Sequence, residues 1–169
     1  MRNVSRRSTV TVRERPLSDV TASAGSLSVH GETFSLDTTE RIDVRDLTDQ
    51  VMAVVRRLHI REGLVHLFSL HTTCTVFINE FQPALVADFK AFLEQAVSEK
   101  VDWRHNDPAH SDCDRQNAGA HLRAMLLGHG LTLQVSGGEV VLGQWQRILM
   151  AELDGPRPRT LRVQVMGVA

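Results

Sequence analysis

The chain has 169 residues, 42% hydrophobic and 23% charged, an ordinary globular composition with enough apolar side chain for one buried core. A formal net charge of -1 leaves no global basic field to hold nucleic acid, and Cys74 and Cys113 are too few for a disulfide framework. No apolar run approaches the roughly 20 residues of a bilayer span, and the first 26 residues lack a signal-peptide core, so a cytoplasmic protein with no membrane or nucleic-acid partner is expected.

Residues 1–25 carry Arg2, Arg6, Arg7, Arg13 and Arg15 against Glu14 and Asp19. They read as a flexible basic arm before a single domain at 26–169, with residues 8–12 able to add an edge strand. Leu27, Val29, Thr33, Phe34 and Leu36 suggest a pair of short strands turned near residues 30–32. Asp43 is the expected N-cap of a helix whose Leu47, Val51, Val54, Val55 and Leu58 form one apolar stripe. Residues 64–70 and 73–78 are rich in apolar and β-branched side chains and predict strands.

Pro83 suits the first turn of a second helix, with Leu85, Phe89, Phe92, Leu93, Ala96 and Val97 as its buried stripe. Residues 103–116 are polar, without usable periodicity, and predict a loop. Asn117 caps a third, short helix through Leu127, which Gly128 ends. Residues 131–136 and 140–142 flank Gly137-Gly138, a hairpin signal, and residues 144–153 and 160–168 supply the last strands. Helices and strands come in blocks rather than strict alternation, which predicts an α+β fold with a mixed sheet and helices on one side.

Polar clusters mark the candidate chemistry. His71-Thr72-Thr73-Cys74-Thr75 interrupts an apolar strand, and Asn79-Glu80 follows at its far end. Buried polar groups cost free energy unless hydrogen-bonded, so these side chains are either a satisfied strand end or a binding site. The loop from His105 to Asp114 holds two histidines, three aspartates and a cysteine, and is either functional or simply solvated. His121 follows the small residues Ala118, Gly119 and Ala120, which permit close approach of a ligand or a second backbone. No sequential zinc signature, P-loop or dinucleotide-binding glycine motif occurs. His71, His105 and His121 form the one candidate spatial ligand set for a divalent metal ion. Arg157 and Arg159, beside Pro156 and Pro158, can grip a phosphate or stand as solvated turn charges.

His71-Thr72-Thr73, Asn79-Glu80, His105-Asn106, Ala120-His121-Leu122, Leu127-Gly128 and Leu142-Gly143-Gln144-Trp145-Gln146 occur in that order, followed by the turn from Glu152 to Arg159. Together they resemble the YjbQ family, members of which carry the label secondary thiamine-phosphate synthase, over about residues 26–167. The resemblance implies a YjbQ-like single domain, a barrel-like mixed β-sheet flanked by helices, and a homotrimer. It implies a metal- or anion-binding site at clustered histidines: His71, His105 and His121 as ligands of zinc or magnesium, with Asn79 and Glu80 as polar, catalytic residues beside them. Cys74 and Gln144 depart from the pattern, where a small residue and a threonine are frequent. Cys74 reads as a small buried residue in preference to a soft extra ligand.

The implied reaction is a transfer that joins a pyrimidine diphosphate to a thiazole phosphate and releases diphosphate. Arg157, Arg159 and the metal would bind the phosphorylated small molecule and the leaving anion. Two other classes compete. One is a metal-dependent hydrolase or lyase with Glu80 as general base; the other is a non-enzymatic trimeric metal- or anion-binding protein.

Overall fold

A computed structural model describes residues 7–18 and 22–169. Two sheets curl into a half-barrel around the apolar stripe of the first helix. In chain order the elements are β1 (Ser28–Asp37), β2 (Asp43–Asp46), α1 (Thr48–Leu58), β3 (Glu62–Ser69) and β4 (Cys74–Asn79). Next come α2 (Pro83–Ala96), a 3-10 turn (Arg104–Asn106), α3 (Ala118–Leu127), β5 (Gly130–Ser136), β6 (Glu139–Val140), β7 (Arg147–Glu152) and β8 (Pro158–Val168). One sheet has the order β1-β8-β3-β5-β6 and the other β2-β7-β4. The fold is the expected α+β, barrel-like arrangement, but the sheet is not the mixed one expected: every strand pairing among the described residues is antiparallel.

The core follows the period-two pattern of strands. Leu161, Val163 and Val165 of β8 point inward beside Val65 and Leu67 of β3, Val135 of β5, Ile148 and Met150 of β7, and Val51 and Val55 of α1. Arg159 occupies the next inward position of the same face of β8, so its guanidinium is buried by register alone. A second apolar cluster of Leu93, Ala120, Ala124, Ala151 and Leu153 fastens α2 and α3 to β7.

Three local expectations change. The predicted pair of strands near residues 27–36 is one ten-residue strand, because β1 pairs along its whole length with β8. Asp43 is not a helix cap; it lies in β2, where its carboxylate accepts from Thr39 N–H at 2.7 Å and from Arg45 at 2.7 Å. Asp46 instead accepts the first orphan N–H of α1, from Thr48 at 2.9 Å. In α2, Leu93 alone is fully buried, Leu85 and Phe89 are half-buried, and Phe92 stands 59% exposed, so the expected stripe is only partly covered.

The remaining punctuation matches the expectation. Gly137 and Gly138 turn β5 into β6 with φ of 62° and 84°, the two positive angles that a tight hairpin demands. Pro83 opens α2 and Gln82 caps it, accepting from Leu85 N–H at 2.8 Å. The part of the basic arm at residues 7–18 is tied to the domain: Thr9 N–H reaches Phe81 O at 3.1 Å and Thr11 N–H reaches Gln144 O at 2.9 Å. No strand forms at residues 8–12, and residues 1–6 and 19–21 lie outside the described part.

Candidate functional site

The polar site grows from the connection between β3 and β4. His71 sits in the turn after β3, where the Ser69 hydroxyl accepts its N–H at 3.3 Å and the imidazole Nε2 accepts Thr160 N–H at 2.8 Å. An acceptor at Nε2 puts the proton of the neutral ring on Nδ1. Burial first, and then the Arg159 and Arg157 charges, hold this imidazole below the usual histidine range, against an opposing pull from Glu152. His71 is therefore a neutral, backbone-anchored hydrogen-bond donor near pH 7.

The opposite wall is the turn between β7 and β8. Arg159 is buried and its guanidinium binds both carboxylate oxygens of the equally buried Glu152, with Nη2 2.6 Å from Oε1, and also reaches the Thr73 hydroxyl at 3.0 Å. Glu152 Oε1 in addition accepts Asp154 N–H at 2.7 Å. The chain then swings past residue 40 so closely that a Cβ on Gly155 would lie 2.4 Å from Glu40 O, which only glycine permits. Asp154 collects Arg115 at 2.7 Å, Asn117 at 2.8 Å and Arg157 at 3.7 Å. Burial opposes its ionisation, yet these donors outweigh burial and hold the carboxyl below its ordinary range.

The third wall is the loop before α3. His105 and His121 meet edge to face with ring centroids 5.0 Å apart. Asn106 Oδ1 accepts Ala118 N–H at 3.0 Å, which docks the 3-10 turn on the start of α3. Asn117 occupies the N-cap position, as expected, but spends its side chain on Asp154 and on the Cys113 thiol, which donates to its Oδ1 at 3.3 Å. Burial and then the neighbouring His105 lower the His121 pKa, opposed by Asp154. Burial pushes the Cys74 thiol up to about 11, so it is a small core side chain rather than a thiolate ligand.

The side chains are linked in sequence: Arg157 acts on His71 and pairs with Asp154, and Asp154 acts on His121, which meets His105. Asn79 and Glu80 are elsewhere. β4 separates Cys74 from Asn79 by five residues, roughly 17 Å of extended chain. At that end Glu80 accepts from the Ser8 hydroxyl, and Asn79 Oδ1 accepts Glu80 N–H at 2.9 Å. Arg159 is spent inside on Glu152 and Thr73, which leaves Arg157, with a side chain 29% exposed, as the arginine of the pair that faces solvent. Arg115, Asn117, Glu152 and Asp154 are not among the candidate site residues read from the sequence. The only signals were a cap-like asparagine and a carboxylate pair before a Gly-Pro turn.

The donor set does not fit the three-histidine metal centre. His71 Nε2 is taken by Thr160 N–H, and among the described residues no group of three or more His, Cys, Asp or Glu side chains is placed to hold a metal ion. No helix in the described residues is long and apolar enough to cross a membrane.

The half-barrel of antiparallel strands with three helices defines a small α+β domain. The family described as UPF0047 protein YjbQ-like matches residues 32–168, and the chain belongs to that family. A UPF0047 protein of Methanothermobacter thermautotrophicus is 39% identical over 141 residues, covering 83% of this chain and 94% of the relative. One from Archaeoglobus fulgidus is 39% identical over 79% of this chain and 98% of its own length. The crystal structure of a YbjQ-like protein of unknown function from Sulfolobus solfataricus superposes with a TM-score of 0.78 at 31% identity, covering 84% of this chain and 99% of that one.

Proposed function

We propose that the polar face at His71, Arg157 and Asp154 binds a small phosphorylated molecule and catalyses group transfer on it. The named reaction for this reading is the union of a pyrimidine diphosphate with a thiazole phosphate. The thiazole nitrogen forms the new C–N bond to the pyrimidine methylene, the C–O bond to diphosphate breaks, and the diphosphate leaves with the electron pair. The observation that carries the reading is a solvent-facing Arg157 beside a neutral His71 whose Nδ1–H has no acceptor among the described residues. Arg157 would meet the developing negative charge on the leaving group, and His71 would hydrogen-bond one of its oxygens. Glu80 has no place in this mechanism, because it is held at the other end of β4. The same reading takes the chain as a homotrimer, supported by the uncovered apolar side chains Phe92, Met125 and Leu126.

The test is rescue of a bacterial strain that lacks thiamine-phosphate synthase, together with direct measurement of diphosphate release by the purified chain. Rescue by the wild-type chain and its loss in Arg157→Ala and His71→Gln are expected. Rescue that survives in the double variant refutes the site.

A further inference from the structure

A cavity of about 600 Å³ lies far from His71, lined by Glu14, Arg15, Arg56, His59, Arg61, Gly138, Glu139 and Ala169. It sits by the β5–β6 turn and the Val168 end of β8, whereas His71 contacts Thr160 at the other end, eight residues or roughly 26 Å of strand away. One wall is the N-terminal arm. The buried Glu139 carboxylate accepts the main-chain N–H groups of Glu14 at 3.2 Å and Arg15 at 3.0 Å, as well as Arg56 at 2.5 Å. Arg13 locks the same stretch by donating to Ser136 O at 2.7 Å and Val140 O at 2.9 Å.

The charges around the cavity are unequally spent. Glu139 is saturated by these donors, and the exposed Glu14 pairs with Arg56 at 3.2 Å. Arg15 makes a single guanidinium bond, to Gly137 O at 2.9 Å, and the exposed Arg61 side chain has no hydrogen-bond or ion-pair partner among the described residues. Two guanidinium forks with unused donors and the His59 imidazole therefore open on one concave space. A fork of parallel N–H groups matches the oxygens of a phosphoryl group.

We propose that this cavity is a second ligand site, separate from the His71 face, that takes a small polyanion with phosphate chemistry and uses the N-terminal arm as a wall. Arm residues Glu14 and Arg15 lie outside the stretch matched by the family, residues 32–168, so the complete site belongs to this chain rather than to the family domain. Because the arm builds the site, ligand binding and arm docking stabilise each other by the same factor.

The experiment uses the full chain and inorganic pyrophosphate as the probe. In an Arg157→Ala background, which disables the first site, calorimetry is expected to retain one binding event. Adding Arg15→Ala and Arg61→Ala should weaken that event about tenfold or more. Pyrophosphate should also slow tryptic cleavage after Arg13 in the wild-type chain, and not in Arg61→Ala, whose side chain has no hydrogen-bond or ion-pair partner among the described residues. Binding in the Arg157→Ala background that ignores the Arg15 and Arg61 substitutions overturns the proposal. So does absence of binding there, or an arm whose cleavage is indifferent to pyrophosphate. Loss of all binding on Arg157→Ala would leave the first site standing without the second; a wild-type chain with a single event, unchanged by Arg157→Ala and weakened with Arg15 and Arg61, would do the reverse.

Discussion

The two ends of β4 carry polar side chains within ten residues of each other, yet their surroundings differ. At the Cys74 end, Glu152 is directly paired across the strands, and behind it stand Arg159, Asp154 and the histidine loop. At the Asn79 end, the partner across the strands is Arg147, which binds Asp46 at 2.7 Å and the Thr11 hydroxyl at 3.3 Å, while Ser8 of the arm reaches Glu80. One end is a charged network with a neutral imidazole and a solvent-facing arginine at its rim. The other is a set of ties that fasten the arm. What a polar residue does here depends on its cross-strand neighbour rather than on its neighbour in sequence.

The largest effect that separates the ends is Arg159→Leu. It strands the Glu152 carboxylate in a fully buried position, and a loss of about 3–5 kcal/mol in urea unfolding is expected. A loss below about 1 kcal/mol would mean that water reaches this pair and that the His71 end is not the closed network described.

Next in size is Glu139→Ala at the arm. It should cost about 2 kcal/mol by leaving the Glu14 and Arg15 N–H groups without their acceptor, and should speed tryptic cleavage after Arg13. Unchanged cleavage would show that the arm is held by its Thr9, Thr11, Arg13 and Arg15 contacts without the Glu139 carboxylate.

Acid should act selectively on the His71 end. His71 and His121 both lie below the ordinary 6.5 when folded, so the unfolded chain binds more protons in the window beneath that value. Their contribution to stability is complete above about pH 6.5 and is lost as pH falls through the lowered values. Urea midpoints measured from about pH 7.5 down to about pH 5 should therefore drop, and the drop should be shallower in His71→Gln/His121→Gln. Asp154 is also lowered, but from 3.8, so its loss belongs to a more acidic window. An identical slope in the double variant would remove the two imidazoles from the account.

The smallest effects are the sharpest discriminators. Glu80→Gln keeps an acceptor for Ser8 and should change stability by less than about 0.5 kcal/mol, with no effect on whatever reaction the His71 face performs. His71→Ala should leave the metal content of untagged protein unchanged, since Nε2 serves Thr160. Metal lost with His71 would restore the three-histidine centre.

Much of the fold was readable in the residues. The α1 stripe from Leu47 to Leu58, Pro83 opening α2 and the Gly137-Gly138 hairpin depend on local periodicity and backbone preference, which act within a few residues. β1 was misread as two strands because glycine and histidine at its centre imitate a turn, while ten residues of pairing with β8 hold it straight. The candidate site was legible only in part. The histidines and Arg157 stand out by type, but Asp154, Asn117 and Arg115 acquire their role from contacts with residues more than thirty positions away.

The amino-acid sequence by itself determined the family, the α+β class and most elements, because side-chain periodicity, turn residues and motif order are properties of neighbouring positions. Tertiary structure decided which polar residues share a site. Antiparallel register set Arg159 on the inward face of β8 against Glu152, carried Asn79 and Glu80 a strand length from His71, and gave the arm a buried carboxylate to dock on. The physical reason is that desolvating a charge is tolerated only beside its partner, and that partner is chosen by strand pairing, which no local pattern encodes.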